Sequence, residues 1–244
     1  MVDMDEWADY YTNPENIEKI ANSCKYREIV IMRYVNGKKI VLRPCKVFKK
    51  EHLQYYINRL NLAETPFDIY CSCASVRMPK LPADLSKLKE MRQYLNIHWN
   101  ELLTGYDIFI DVDIEKAEHR MQARAWTGIL VKELQEKGYK KMQAWDTSRG
   151  YHCQDMGRFT PDFVKQLVMN ICCEKQIPMS YPVKQIGEQK YYAKDGKWIK
   201  VKPNFTPPPV PKPNIDTSIY DWRRIFRVNY SLHSKTGKPK VRII

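Results

Sequence analysis

The residues with the clearest chemical potential lie on one short stretch, Tyr106-Asp-Ile-Phe-Ile-Asp-Val-Asp-Ile-Glu115. Its alternation has a period of two, which predicts a strand with Ile108, Ile110, Val112 and Ile114 on a buried face. The opposite face then carries Asp107, Phe109, Asp111, Asp113 and Glu115. Same-face neighbours on a strand are roughly 6.5–7 Å apart. Carboxylates stacked that closely repel unless positive charge sits on them. A solvated edge strand is one explanation, because acidic alternation discourages edge-to-edge pairing. The β-branched aliphatics instead favour a central strand, where Asp111 and Asp113 form a site for a hard divalent cation. Two carboxylates with open coordination positions suit phosphoryl transfer. Asp107 and Glu115 are expected to support or flank that site without ligating.

Two further clusters are candidates for binding phosphate. Asp146-Thr-Ser148-Arg149-Gly150-Tyr151-His152 puts a cation, a glycine and a histidine in a turn between strands. Backbone N–H groups of such a turn, with Arg149 and His152, can cradle a polyphosphate, although Arg-Gly-x-His alone reads only as a loop. The C-terminal run is richer, with Asp216-Thr-Ser-Ile-Tyr-Asp221-Trp-Arg-Arg224-Ile-Phe-Arg227 leading into Ser231-Leu-His233-Ser-Lys235-Thr-Gly237.

Taken in order, these segments resemble the catalytic motifs of archaeo-eukaryotic primases. Asp111-Val-Asp113 resembles the first motif and Ser148-Arg-Gly-Tyr-His152 the second. Asp216 falls where the third carboxylate belongs, ahead of Ser231-Leu-His233-x-Lys235-Thr-Gly237. Arg27-Glu28-Ile-Val-Ile, Ile-Val-Leu-Arg43 and Asp68-Ile-Tyr-Cys-Ser resemble the opening of the family's small catalytic subunit, so the resemblance spans roughly residues 26 to 244. Two departures stand out. Asp146-Thr147 replaces a usual Ser-Gly pair, with Ser148 as the substitute phosphate contact, and no cysteine cluster stands for the family's zinc knob.

The resemblance implies an α+β fold, in which an N-terminal α/β module (1–105) packs on an RRM-like catalytic module (106–244) within one domain. It implies template-dependent nucleotidyl transfer by a DNA-directed RNA/DNA polymerase, making or extending primers on single-stranded DNA. Asp111, Asp113 and Asp216 would hold two Mg²⁺ or Mn²⁺ ions, with no zinc expected. Ser148, Arg149, His152, Arg227, His233 and Lys235 would contact the triphosphate. Arg43 and Glu28 are carried over to the nucleotide or initiation site, and Asp68 to the sugar. Partners would be template, primer and nucleoside triphosphates, with a large primase subunit or replicative helicase as further candidates. A gap-filling, end-joining repair polymerase of the same superfamily is the rival enzyme. An inactive nucleic-acid-binding module is the rival outside catalysis, against which the intact carboxylate set speaks.

The rest of the chain has to position these groups. Formal charge is +13, from 41 Lys and Arg against 28 Asp and Glu. From Lys184 to Ile244, 14 Lys and Arg stand against 4 Asp and Glu, a net of +10. Clustered cations of this kind serve solubility or a polyanionic partner. A basic hairpin over 181–202 supplies Lys184, Lys190, Lys197, Lys200 and Lys202, with Tyr191, Tyr192 and Trp198 interleaved for packing or base stacking. Arg223 and Arg224 extend the basic surface. Five prolines make 206–213 an extended connector.

A hydrophobic share of 43% excludes disorder, and no apolar run reaches the roughly 18–20 residues that span a bilayer. The N-terminus does not read as a secretory signal, and seven cysteines without a Cys-x-x-Cys pair predict free thiols in a reducing, intracellular setting, cytoplasm or nucleoid. Cys71-Ser-Cys73 is better read as buried than as a zinc pair. Helices are expected at 14–24, 49–62, 82–95, 117–137 and 161–175, the last with Phe163, Leu167 and Ile171 inward. Strands are expected at 27–35, 38–44, 67–75, 106–115, 140–147 and 151–156, with a helical turn near 220–226 and a final strand near 240–244. His98 and His119 receive no role.

Overall fold

The computed structural model describes residues 3–36, 38–46, 50–59, 65–77, 88–180, 183–186, 189–194, 197–201 and 212–244. Lys202, residues 206–211 of the proline-rich connector, Gly37, and the turns at 187–188 and 195–196 lie outside them. So do 60–62 and 82–87 of two expected helices, and the side chains of Lys184, Lys190, Lys197, Tyr192 and Trp198. The chain divides into two compact units, Met1–Tyr106 with Trp222–Val241, and Asp107–Asp221 with Arg242–Ile244.

The first unit begins with two capped helices. Asp3 accepts from the Asp5 and Glu6 amides to start α1 (Met4–Thr12), and Asn13 accepts from Glu15 N at 2.9 Å to start α2 (Pro14–Ser23). β1 (Arg27–Val35) pairs with β2 (Lys38–Lys46), the hairpin anticipated from Asn36-Gly37. α3 (Lys50–Arg59) buries Leu53, Tyr56 and Ile57. β3 (Phe67–Val76) pairs with β1, and α4 (Leu88–Leu102) runs seven residues beyond the expected end. The first residues of β4 (Leu103–Asp113) pair with β3.

Two features of this unit differ from expectation. α1 is absent from the sequence reading, yet its Trp7 and Tyr11 are buried against Phe67. Burial raises the Tyr11 hydroxyl's pKa well above the usual tyrosine value. Ile225–Arg227 forms a strand, not a helical turn, pairing antiparallel with β3 from Ser72 to Tyr70. Its isoleucine, phenylalanine and extended arginine suit a half-buried strand once β3 offers an open edge.

In the second unit, β4 from Asp107 onward is flanked by β6 (Gly150–Phe159) and β10 (Asn214–Ile215), with β5 (Gln143–Asp146) outside β6. This excludes the edge-strand explanation. It also corrects the expected one-sided burial, since Asp107 and Phe109 are as buried as Ile108 and Ile110. Asp107 accepts from Gln154 Nε2 at 3.0 Å and from Gly157 N at 3.3 Å, a structural role.

α5 (Arg120–Glu136) follows a short 3₁₀ turn and ends at Gly138, whose φ of 100° closes the helix where a side chain would strain. α6 (Pro161–Glu174) starts from Thr160, which accepts from Phe163 N. Its buried residues include Val164, Val168, Met169, Ile171 and Cys172, so Ile171 faces inward as expected while Leu167 is only half-buried. Phe163 is exposed and stacks on Phe159. The basic segment is a three-stranded antiparallel sheet, β7 (Val183–Ile186), β8 (Gln189–Lys194) and β9 (Lys197–Lys200). Its register sets Lys184 opposite Tyr191 and Tyr191 opposite Lys200.

Candidate active site

The acidic strand owes its position to its own composition. Ile108, Ile110 and Val112 are fully buried, so pleat geometry fixes Asp111 and Asp113 on the other face, both partly exposed. Asp216 arrives by long-range pairing. β10 sets Asn214 opposite Asp113 and Ile215 opposite Val112, and the Asp216 amide donates to the Asp111 carbonyl at 2.9 Å. The three carboxylate-bearing residues therefore occupy neighbouring positions on adjacent backbones.

Each carboxylate has its own partner. Asp113 Oδ2 lies 2.7 Å from Lys212 Nζ. Asp111 Oδ1 lies 3.6 Å from His152 Nε2, beyond a hydrogen bond but close enough for an imidazolium to matter. Asp216 Oδ1 accepts from Ser218 N (2.9 Å), Ser218 Oγ (2.6 Å) and Ser180 Oγ (3.2 Å). Among the described residues, no three His, Cys, Asp or Glu side chains are gathered closely enough to hold a metal ion. The donor set is nonetheless of the right kind. Hard carboxylate oxygens at alternate positions of one strand, with a third on the adjacent backbone, suit Mg²⁺ or Mn²⁺, and Lys212 already places one positive charge among them.

His152 is brought to this strand by β6. It is 8% exposed, packs edge-on to Phe109 with centroids 4.9 Å apart, and stands opposite Trp145 in the β5–β6 ladder. The preceding turn is tightly built. Ser148 has a φ of 65°, and its amide donates to Asp146 Oδ1 at 2.7 Å. Arg120 of α5 bonds Asp146 Oδ2 and also donates to the Ser148 carbonyl at 3.3 Å. The hydrogen bond to Asp146 raises the Arg120 pKa further. Asp146 thus works as a turn-former. Arg149 is exposed at the tip. Gly150 is buried against β4, where an added Cβ would lie 2.5 Å from the Val112 carbonyl oxygen.

The remaining predicted nucleotide contacts belong to the first unit. His233 sits in a compact loop in which its carbonyl accepts from Thr236 N and Gly237 N. Its Nδ1 accepts from Lys235 N at 3.0 Å, so the neutral ring carries its proton on Nε2. Asp68 secures this loop by accepting from Ser234 N (2.9 Å) and Ser234 Oγ (2.6 Å). α1 secures its start, for Tyr11 Oη accepts from Leu232 N at 3.0 Å and Tyr10 Oη donates to the Tyr230 carbonyl. Lys235 is exposed.

Arg227 is 4% exposed and its carbonyl accepts from Lys240 Nζ at 3.0 Å. Phe226 has two buried cations near its ring, with Lys240 Nζ 4.8 Å and Arg27 Cζ 5.9 Å from the centroid. Glu28 and Arg43 are brought together as a two-pronged ion pair, both contacts 2.7 Å. Arg223 lies over the Trp99 ring at 4.8 Å and donates to Asn96 Oδ1, which commits it to α4. Arg224 is half-buried and Lys200 exposed.

Sequence reasoning passed over Ser180, Lys212 and Arg120. Ser180 and Arg120 carry no distinguishing local signal, and Lys212 reads as part of the connector. Burial pushes the Cys153 thiol, on the strand next to Asp111, up to about 12.

No family model matches the chain, and no curated protein matches it. Among solved structures, it is similar to the polymerase domain of Mycobacterium tuberculosis ligase D in complex with DNA. The TM-score is 0.59 at 11% identity, covering 99% of this chain and 80% of that one. At that identity the likeness is one of fold, and it is the α+β fold that the sequence resemblance implied.

Proposed function

We propose that this protein is a template-dependent nucleotidyltransferase that makes or extends primers on single-stranded DNA, with residues 1–244 serving as one catalytic domain. The observation that carries this reading is the placement of Asp216 against Asp111 and Asp113 by the β10–β4 pairing. A structural carboxylate cap needs no such convergence of three acids. The polymerase-domain fold supports the same reaction class.

Asp111, Asp113 and Asp216 would hold Mg²⁺ or Mn²⁺. Such ions supply positive charge to the attacking hydroxyl oxygen and to the departing pyrophosphate. The protein's own groups do the positioning. His152 sets a second cation-capable group beside Asp111, and Arg149 extends from a turn held rigid by Asp146 and Arg120. His233 offers Nε2–H as a donor of fixed tautomer, suited to a phosphate oxygen. Lys235 would reach a nucleotide from its exposed position, Arg227 would do so only as a buried cation, and Lys200 with the β7–β9 sheet would contact template through charge.

A gap-filling repair activity is the second reading, favoured by the likeness to a ligase D polymerase domain solved with DNA. One assay separates the two. Purified protein is given an unprimed single-stranded template, a primed template and a gapped duplex with a 5′-phosphate, each with ribo- or deoxyribonucleotides and Mg²⁺ or Mn²⁺. Products on the unprimed template support primase action, whereas filling of the gapped duplex alone supports repair. Asp111→Asn and Asp113→Asn should abolish all incorporation while leaving the circular dichroism spectrum unchanged. Extension retained by either variant refutes the proposal.

A further inference from the structure

Asp216 is held by two kinds of contact, one local and one not. Ser218, two residues on, donates both its amide and its hydroxyl to Oδ1, as any aspartate opening a short helical turn can arrange. Ser180 is different, because it comes from the segment that leaves α6. That segment is fixed against β10 by two backbone hydrogen bonds. Ser180 N donates to the Ile215 carbonyl at 2.8 Å and Ile215 N donates to the Pro178 carbonyl at 2.9 Å, which together make the parallel bridge between Met179 and Ile215. The Ser180 hydroxyl then accepts from Thr217 N at 3.0 Å and donates to Asp216 Oδ1 at 3.2 Å. With its acceptor side engaged by Thr217, the single hydroxyl proton is directed at the carboxylate.

We propose that Ser180 is a positioning residue for Asp216, fixing the plane of its carboxylate from a chain segment outside every motif singled out in the sequence. A local turn restrains the aspartate only relative to its own next residues. A tie to the 178–180 segment restrains it relative to β10, and so to the strand that carries Asp111 and Asp113. Hydroxyl and backbone groups that orient an ion-holding carboxylate commonly change ion affinity by about 10-fold or more when removed. The inference rests on the reading of Asp216 as one of the ion-holding carboxylates.

The test is Mn²⁺ binding to the full chain in the absence of nucleotide, followed by the electron paramagnetic resonance signal of free Mn²⁺. Ser180→Ala should weaken binding about 10-fold, with the melting temperature recorded alongside. Ser180→Thr, which keeps the hydroxyl, should bind as the wild type does. Ser180→Cys keeps the volume with a much weaker donor, and it carries the test if the alanine variant does not fold. Asp216→Asn and Asp111→Asn are the controls. If both bind Mn²⁺ like the wild type, the carboxylate set does not hold the ion and the inference falls with that reading. If both lose binding while folded Ser180→Ala or Ser180→Cys retains it in full, the carboxylate reading stands and the role of Ser180 is overturned. Failure of Ser180→Thr to match the wild type also counts against a role for the hydroxyl.

Discussion

Gly150 gives the sharpest test of how the Asp146–Gly150 turn and the acidic strand depend on each other. A Cβ at this position would lie 2.5 Å from the Val112 carbonyl oxygen and 3.8 Å from the Asp113 Cα. Ordinary contact begins near 3.4 Å, so Gly150→Ala must open the gap by about 0.9 Å. The neighbour is backbone and not a side-chain tip, so no rotamer change relieves the overlap. Such overpacking costs about 1–3 kcal/mol. For a chain of this length, each kcal/mol lowers the melting temperature by about 2–4 °C, giving an expected loss of about 2–12 °C.

The catalytic effect should exceed the stability effect, because Val112 sits between Asp111 and Asp113 and carries them with it. A displacement of about 1 Å at the reacting groups costs on the order of 10²-fold in rate. The assay is single-nucleotide primer extension at saturating nucleotide, run beside thermal melting. Gly128→Ala is the control. Its Cβ meets nothing within 4 Å, and alanine in a helix interior should raise stability by about 0.5–1 kcal/mol with the extension rate unchanged. A Gly150→Ala protein that melts lower yet extends at the wild-type rate would break the link between the turn and the acidic strand. One with unchanged melting as well would refute the close approach itself.

Three other outcomes are expected. Lys212→Met should tighten Mn²⁺ binding by up to about fivefold, since removing a partly exposed ion pair gives back about 1 kcal/mol or less; unchanged or weaker binding counts against Lys212 as a competing cation. His233→Ala should raise the nucleotide KM more than it weakens template binding measured by fluorescence anisotropy, and equal damage to both would mark His233 as structural. Thiol labelling at pH 8 should spare Cys24, Cys71, Cys73, Cys153 and Cys172, all buried. For Cys24, Cys153 and Cys172, burial raises the thiol pKa and keeps the reactive thiolate scarce. Denaturant should expose them all, and rapid native modification of Cys153 would contradict the packing of β6.

What the sequence made legible follows the range of the interactions. The acidic strand announces itself, because a two-residue period and β-branched neighbours are local. The helix expected over 14–24 opens on the Asn13-Pro14 cap, and the one expected over 161–175 opens on a Thr160 cap, so both starts are set by local contacts. Ile225–Arg227 was misread because its charged neighbours suggest a helical turn, while its state is decided by the edge of β3, far away in sequence. α1 was missed because its nine residues are acidic and aromatic, and only Phe67 shows what Trp7 and Tyr11 are for. Asp216 was found through the resemblance alone, as a single aspartate before a threonine has no local mark. Ser180 had none either, since its role exists only once β10 lies beside residues 178–180.

The partners of the three carboxylates explain how such an acidic strand can sit inside a sheet at all. Two aspartates at alternate positions repel each other, and flanking strands remove the solvent that would screen them. Lys212 offsets the charge of Asp113, His152 stands beside Asp111, and Ser180 with Ser218 satisfies Asp216 by hydrogen bonds without adding charge. The acidic face is therefore compensated piecewise, one carboxylate at a time. Of these partners Lys212 also weakens ion binding, since its ammonium competes for Asp113 Oδ2, whereas the serines orient Asp216 without adding charge. An ion held by Asp113 would have to displace Lys212, and a triphosphate that drew the released ammonium to itself would lower that cost. This predicts that nucleotide and Mn²⁺ bind cooperatively, and that the cooperativity shrinks in Lys212→Met. Calorimetric titration of Mn²⁺ with and without a non-hydrolysable nucleotide measures it directly, and equal cooperativity in the two proteins would show that Lys212 plays no part.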